Sequence, residues 1–188
     1  MAVRKIIRMG HPHLRVPANP VPAEAIGSPE LARLIDDMID TLHDYGGIGL
    51  AAPQIDEPLR LAIVEIPGGP SRYGDIDALP QTVFINPQLT VVDSASAGYW
   101  EGCLSIPGLR GYVERPQQVR VNYTTTSGVA AEIELQGFRA TVFQHEFDHL
   151  DGRLYIDHIA DTSKLMFEEE FLRYWQTEDA DDETKPGL

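Results

Sequence analysis

The stretch Gln144-His145-Glu146-Phe147-Asp148-His149-Leu150-Asp151-Gly152 restricts the fold more than any other part of the chain. As a helix it puts His145 and His149 four residues apart on one face, close enough to share one metal ion. Upstream, Phe138, Val142 and Phe143 supply an apolar stripe that buries the helix, and Gly152 is the residue expected just past its end. Two imidazoles turned away from water need a partner. Glu146 follows the first of them directly, so its carboxylate can sit beside the open side of a bound metal and take a proton from water. This is the H-E-x-x-H arrangement. Read alone, it also fits an amphipathic helix that happens to carry two histidines and a glutamate.

At 188 residues the chain is the size of one domain, long enough to bury a core without disulfide or metal staples. No apolar run reaches the roughly 18 residues of a membrane span. Arg4, Lys5 and Arg8 are followed by no sustained apolar run, so the start does not read as a secretory signal, and a cytosolic protein without a membrane partner is expected. The formal charge is −14 and there is no run of lysines or arginines, which argues against direct binding of nucleic acid. Cys103 is the single cysteine, so no intramolecular disulfide can form.

The expected class is α+β: a single compact domain of mixed or antiparallel strands around a central metal-binding helix, with an N-terminal helix and a C-terminal helix. Residues 1–27 are proline-rich and read as an extended arm with at most a short strand from Lys5 to Met9, its His11 and His13 solvated. Ser28 caps the first helix and Pro29 suits its first turn. Leu31, Leu34, Ile35, Met38, Ile39 and Leu42 recur at spacings of three and four, Gly46-Gly47 ends the helix, and His43 is expected to be exposed. In Gly47-Ile48-Gly49-Leu50-Ala51-Ala52-Pro53-Gln54 the small residues leave the backbone uncovered, so a substrate can hydrogen-bond to it directly; a tight helix-to-strand connection is the alternative. Strands are expected at 60–66, 82–85 and 88–93, with a surface loop at 67–80 and a hairpin of 119–123 with 129–135. A last helix is expected over 162–176. The domain proper is read as 1–177, followed by an acidic, disordered tail at 178–188.

An open metal site takes three protein ligands and keeps one position free. His145 and His149 give two. Cys103, within Glu101-Gly102-Cys103-Leu104-Ser105, is the natural third because a metal stabilises its thiolate, and Glu101 is the rival. Glu146 then acts as general base and acid, while Gln54 and a backbone N–H next to Cys103 can hold the oxyanion that forms at an attacked carbonyl. The chemistry indicated is amide hydrolysis. A zinc endopeptidase, whose third ligand would come from downstream where His158 is the sole histidine, and a closed structural metal site are the alternatives. Asp148 is read as a structural partner of the helix or of a ligand.

Together the three segments 47–54, 101–105 and 144–149 resemble peptide deformylase, whose motifs they match intact and in order. The resemblance spans nearly the whole chain and is weakest at 67–80 and in the acidic tail. It implies that Cys103, His145 and His149 hold one divalent metal ion, Fe²⁺ natively with Zn²⁺ or Ni²⁺ as substitutes. It implies Glu146 as general base and acid, with the Gln54 amide and the Leu104 N–H on the formyl oxygen. Ile48, Gly49 and Gly102 would meet the substrate backbone as if it were an added strand. Ile48, Tyr99, Phe138, Val142 and His145 would line a methionine pocket with Arg110 at its rim. The implied reaction removes the formyl group from N-formylmethionyl peptides and nascent chains in a bacterial cytosol, releasing formate. Any ribosome contact would run through the C-terminal helix.

Overall fold

Helix α1 (Pro29–Tyr45) begins as its sequence predicts: the Ser28 hydroxyl accepts from Leu31 N at 3.2 Å and Pro29 occupies the first turn. It ends at Gly46, whose φ of 67° and bonds back to Leu42 and His43 close the last turn. The computed structural model describes residues 2–71 and 74–175, so the tail at 178–188 lies outside the described residues. Leu31, Ile35, Met38 and Leu42 are the buried stripe of α1. They pack on Leu50, Leu61, Ile63 and Ile85 of the sheet.

Among the described residues that sheet has six strands: Gly49–Ala51, Leu61–Ile66, Leu79–Cys103, Ile106–Thr124 and Ala130–Gln136 lie side by side in this order, Leu165–Phe167 also pairs with Ile106–Thr124, and every pairing is antiparallel. Strand β1 (Gly49–Ala51) is at its edge beside β2 (Leu61–Ile66). The side chains of β2 alternate between two cores. Leu61 and Ile63 meet α1, whereas Ala62, Val64 and Ile66 join Phe143, Phe147 and Leu150 of helix α2 (Gly137–Leu150). A strand covered on both faces must be apolar almost throughout, as Leu-Ala-Ile-Val is. Helix α2 is accordingly interior: nine of its fourteen residues are buried.

Between β2 and the long hairpin the expectation of a plain loop at 67–80 is corrected. Gly69–Ser71 (β3) pairs with Gly74–Ile76 (β4), and β5 (Leu79–Cys103) starts at Leu79. The strands expected at 82–85 and 88–93 are likewise one: the interruption at Asn86-Pro87 is an irregularity, not an end. Asn86 takes a left-handed φ of 51°, and its side chain bonds both Val21 N (2.8 Å) and Val21 O (2.9 Å) of the arm. Strand β6 (Ile106–Thr124) pairs back along β5 from Ile85↔Thr124 to Cys103↔Ile106. It then pairs with β7 (Ala130–Gln136) in the expected hairpin. Leu104 and Ser105 are thus the whole turn between two long strands, and Cys103 is fixed beside it.

The termini differ from expectation. Lys5 to Met9 forms no strand, although Ile7 N bonds Gln54 O at 2.9 Å and Met9 N bonds Ser105 O at 2.8 Å. The helix expected over 162–176 is not continuous: Thr162–Lys164 is a single 3-10 turn. Leu165–Phe167 is β8, paired with Leu109–Gly111, and helix α3 covers only Glu168–Tyr174. The edge of β6 offers unpaired backbone there, and an apolar triplet of extended backbone satisfies it. Of the apolar residues in this segment Phe171 is buried against Trp100, with ring centroids 5.0 Å apart, while Phe167 is 69% exposed. Among the described residues no helix is long and apolar enough to cross a membrane.

Candidate active site

The face of α2 turned to the β5–β6 turn carries His145, Glu146 and His149, all buried. Cys103 meets them there: its Sγ is 3.3 Å from His149 Nε2, and one donor atom each of Cys103, His145 and His149 lie within 4.8 Å of one another. The imidazoles stand edge to face, 5.3 Å between centroids. One sulfur and two ring nitrogens, converging from a strand end and one helical face, suit a borderline divalent cation. Burial pushes the Cys103 thiol up, but the adjacent His149 and His145 outweigh it and hold the thiol well below its ordinary range. The donor set therefore fits a metal ion that binds thiolate.

Glu101, the rival ligand, stands behind this group. It accepts from His145 Nδ1 at 2.7 Å, which orients the ring so that Nε2 faces the sulfur. Arg115, only 4% exposed, holds Glu101 through Nε at 2.6 Å and Nη2 at 3.1 Å, and reaches Asp148 through Nη1 at 2.8 Å. Burial works against charge on Glu101, yet His145 and Arg115 keep its carboxyl below the usual range. Asp148 is also 3.0 Å from His158 Nε2. The sole histidine downstream of the motif thus stands beside a helix carboxylate and is not in the group formed by Cys103, His145 and His149, as a zinc-endopeptidase ligand would be. Tyr155 stacks on the His145 ring, nearly parallel at 19° with centroids 5.9 Å apart.

Glu146 is fully inside the same pocket, and its Oε2 has no hydrogen-bond partner among the described residues. Burial raises its carboxyl to about 7 even though two imidazoles oppose the shift. Gly49 makes the space: a Cβ there would fall 2.3 Å from Glu146 Oε1. Register explains what Gly49 presents. Glu65 N bonds Ile48 O at 2.9 Å, so Gly49 opposite Val64 is a pair without mutual hydrogen bonds, and its own N–H and C=O point to the open edge of the sheet. The Ile48 carbonyl, by contrast, is already engaged.

Gln54 sits in a short 3-10 turn, Ala52–Ile55, that follows β1. Its Oε1 accepts from Ala51 N at 2.8 Å, which fixes the amide and leaves Nε2 facing inward, 3.3 Å from Ser105 Oγ and 3.6 Å from Cys103 Sγ. Leu104, next to Cys103, is in the turn on the opposite wall. A cleft of about 1110 Å³ joins these groups, lined also by Ile48, Tyr99, Gly102, Phe138, Val142 and Arg110. Tyr99 and Phe138 pack edge to face at 5.7 Å. Arg110 reaches Glu168 of α3 through Nε at 2.9 Å and lies so close over Gly102 that a Cβ there would be 2.3 Å from its Nη1.

The structure brings together every residue singled out from the three segments. Arg115, Tyr155 and Glu168 were not anticipated. Arg115 is 14 and 33 residues from its two carboxylates, so no local pattern marks it. The description "Polypeptide deformylase" belongs to the family whose profile matches residues 3–165. Peptide deformylase 2 of Pseudomonas syringae pv. tomato is 47% identical over 165 residues, covering 88% of this chain and 92% of that one. Peptide deformylase of Leptospira biflexa is 39% identical over 170 residues, covering 90% and 95%. A crystal structure of class I type b peptide deformylase from Acinetobacter baumannii superposes with a TM-score of 0.80 at 35% identity, covering 85% of this chain and 100% of that one. The Thermotoga maritima peptide deformylase gives 0.76 at 35% identity, covering 86% and 100%.

Proposed function

The chain belongs to the polypeptide deformylase family, metal-dependent hydrolases that remove the N-formyl group from nascent peptides, and we propose which of its residues perform that reaction. Cys103, His145 and His149 would hold one divalent cation, Fe²⁺ as the native ion with Zn²⁺ or Ni²⁺ able to replace it. When bound, such an ion supplies a Lewis acid for the formyl carbonyl and makes water a better nucleophile.

The peptide lies along the open edge of β1, where the Gly49 backbone faces it, with Gly102 across the cleft. Its methionine side chain enters the apolar end formed by Ile48, Tyr99, Phe138 and Val142. Glu146, as carboxylate, takes a proton from the attacking water. The water oxygen bonds to the formyl carbon and the C–N bond breaks. Glu146 then passes its proton to the leaving nitrogen, giving formate and a free amine. Charge that develops on the formyl oxygen is met by Gln54 Nε2 and the Leu104 N–H, each donor worth about 2.7–4 kcal/mol in such sites.

The observation that carries this reading is the buried Glu146 carboxyl, its Oε2 without a hydrogen-bond partner among the described residues, in the pocket where Cys103 Sγ and His149 Nε2 stand 3.3 Å apart. The exposed Leu172, Tyr174 and Trp175 offer a ribosomal protein, rather than RNA, a contact beside the acidic turn Glu168–Glu170, in the bacterial cytosol where formylated chains are made. Glu146→Ala should keep metal and fold yet release no formate from a formyl-Met peptide; full activity would end the mechanism. Anaerobic purification with elemental analysis identifies the native ion.

A further inference from the structure

The two histidines of the N-terminal arm are not simply solvated. The arm folds over the 3-10 turn that carries Gln54, and this sets His13 Nδ1 2.6 Å from Asp56 Oδ1. His11 stands beside His13, ring centroids 4.9 Å apart and nearly perpendicular at 75°. One donor atom from each of His11, His13 and Asp56 lies within 4.8 Å of the other two. The cluster joins segments 43 residues apart, and Asp56 occupies a left-handed φ of 67° that few residues other than glycine adopt. His11 also lines the mouth of the peptide cleft.

We propose that His11, His13 and Asp56 form a second divalent-metal site at the rim of that cleft, separate from the Cys103 centre. Two imidazoles and one carboxylate are the ligand set of open zinc sites, with the outward face left to water. The nitrogens disfavour Ca²⁺ and Mg²⁺, which prefer oxygen, and the lack of sulfur disfavours Cu⁺; first-row divalent ions such as Zn²⁺, Ni²⁺, Co²⁺ and Cu²⁺ suit the set. A bound ion takes the place of the proton shared by His13 Nδ1 and Asp56 Oδ1. Because His13 and Asp56 are exposed, this site binds more weakly than the buried one. It also ties the arm to the turn at 52–56. The arm already reaches both walls of the cleft through Ile7 N to Gln54 O and Met9 N to Ser105 O. The ion would lock that rim in place.

The test uses untagged protein already carrying one equivalent of Zn²⁺, dialysed against excess Zn²⁺, with metal per chain measured. A second equivalent is expected. His13→Ala and Asp56→Asn should each weaken it by at least about tenfold while the first equivalent stays. His43→Ala should change neither, since His43 pairs with Glu65 at 2.6 Å and is in no cluster of three such donors among the described residues. With Co²⁺ in both centres the thiolate charge-transfer absorption belongs to the first alone, so the second adds none. No second equivalent, or one held equally well after His13→Ala, overturns the proposal. Loss of the second equivalent alone, with formate release intact, supports it and leaves the Cys103 centre untouched.

Discussion

Replacing Gly49 by alanine tests the placement of Glu146 without touching a ligand. A Cβ at this position falls 2.3 Å from Glu146 Oε1, 2.5 Å from Cδ and 2.6 Å from Cγ. An unstrained contact is about 3.5–4 Å. Glu146 is 6% exposed and the helix behind it is packed, so its carboxyl group must shift by about 1 Å to make room. A displacement of that size costs about 10²-fold in rate, equivalent to about 2.7 kcal/mol of transition-state stabilisation. Gly49→Ala is therefore expected to lower kcat for formate release from a formyl-Met peptide about 10²-fold. Overpacking should cost about 1–3 kcal/mol of stability. Metal per chain should stay at the wild-type value, because the nearest atoms to the new methyl are all those of Glu146. Wild-type kcat in this variant would refute the role given to the carboxyl group. Loss of metal would move the defect to the ligands.

Further outcomes follow from the groups around the ligands. Glu101→Gln removes the carboxylate on His145 Nδ1 and should weaken the metal about 10–100-fold in chelator competition, with unchanged affinity counting against the orienting role. Arg115→Met leaves Glu101 and Asp148 without their buried cation, and urea unfolding should show a loss of about 3–5 kcal/mol; a loss under about 1 kcal/mol would show that water or His158 replaces it. In metal-free protein the Glu146 carboxyl, pushed up to about 7 from an ordinary 4.5, should titrate near neutrality by ¹³C NMR. The sign follows from a raised folded value: its stabilising contribution is complete below about pH 4.5 and is lost as pH rises through 7, so the wild type should lose stability relative to Glu146→Gln over that window.

What could be read from the chain beforehand was whatever is encoded over a few residues. The stripe Leu31 to Leu42 with its Ser28 and Gly46 caps, the hairpin of β6 and β7, and the ligand pair on α2 all depend on local spacing. That Cys103, Glu146 and Gln54 serve one site was legible from the chemistry of these residue types, and the resemblance of three short segments to one family added the Gly49 backbone and the Leu104 N–H to it. Long-range partners were not legible. Glu101 is turned to His145 by Arg115, and that charge lies across a β-hairpin whose register the residues alone do not display. The C-terminal misreading has a similar cause. Leu165, Met166 and Phe167 suit a helical stripe, but the unpaired edge at Leu109–Gly111 captures them as a strand. His11 and His13 read as loop histidines because Asp56, which meets them, is distant in the chain.

X-ray absorption at the zinc edge, on protein given one equivalent of Zn²⁺, addresses the ligand set without any variant. One sulfur scatterer at about 2.3 Å and two imidazole nitrogens at about 2.0–2.1 Å are predicted, with a light fourth scatterer from solvent. A first shell of nitrogen and oxygen alone, without sulfur, would remove Cys103 from the centre and contradict the reading of this site as a thiolate-held hydrolytic metal.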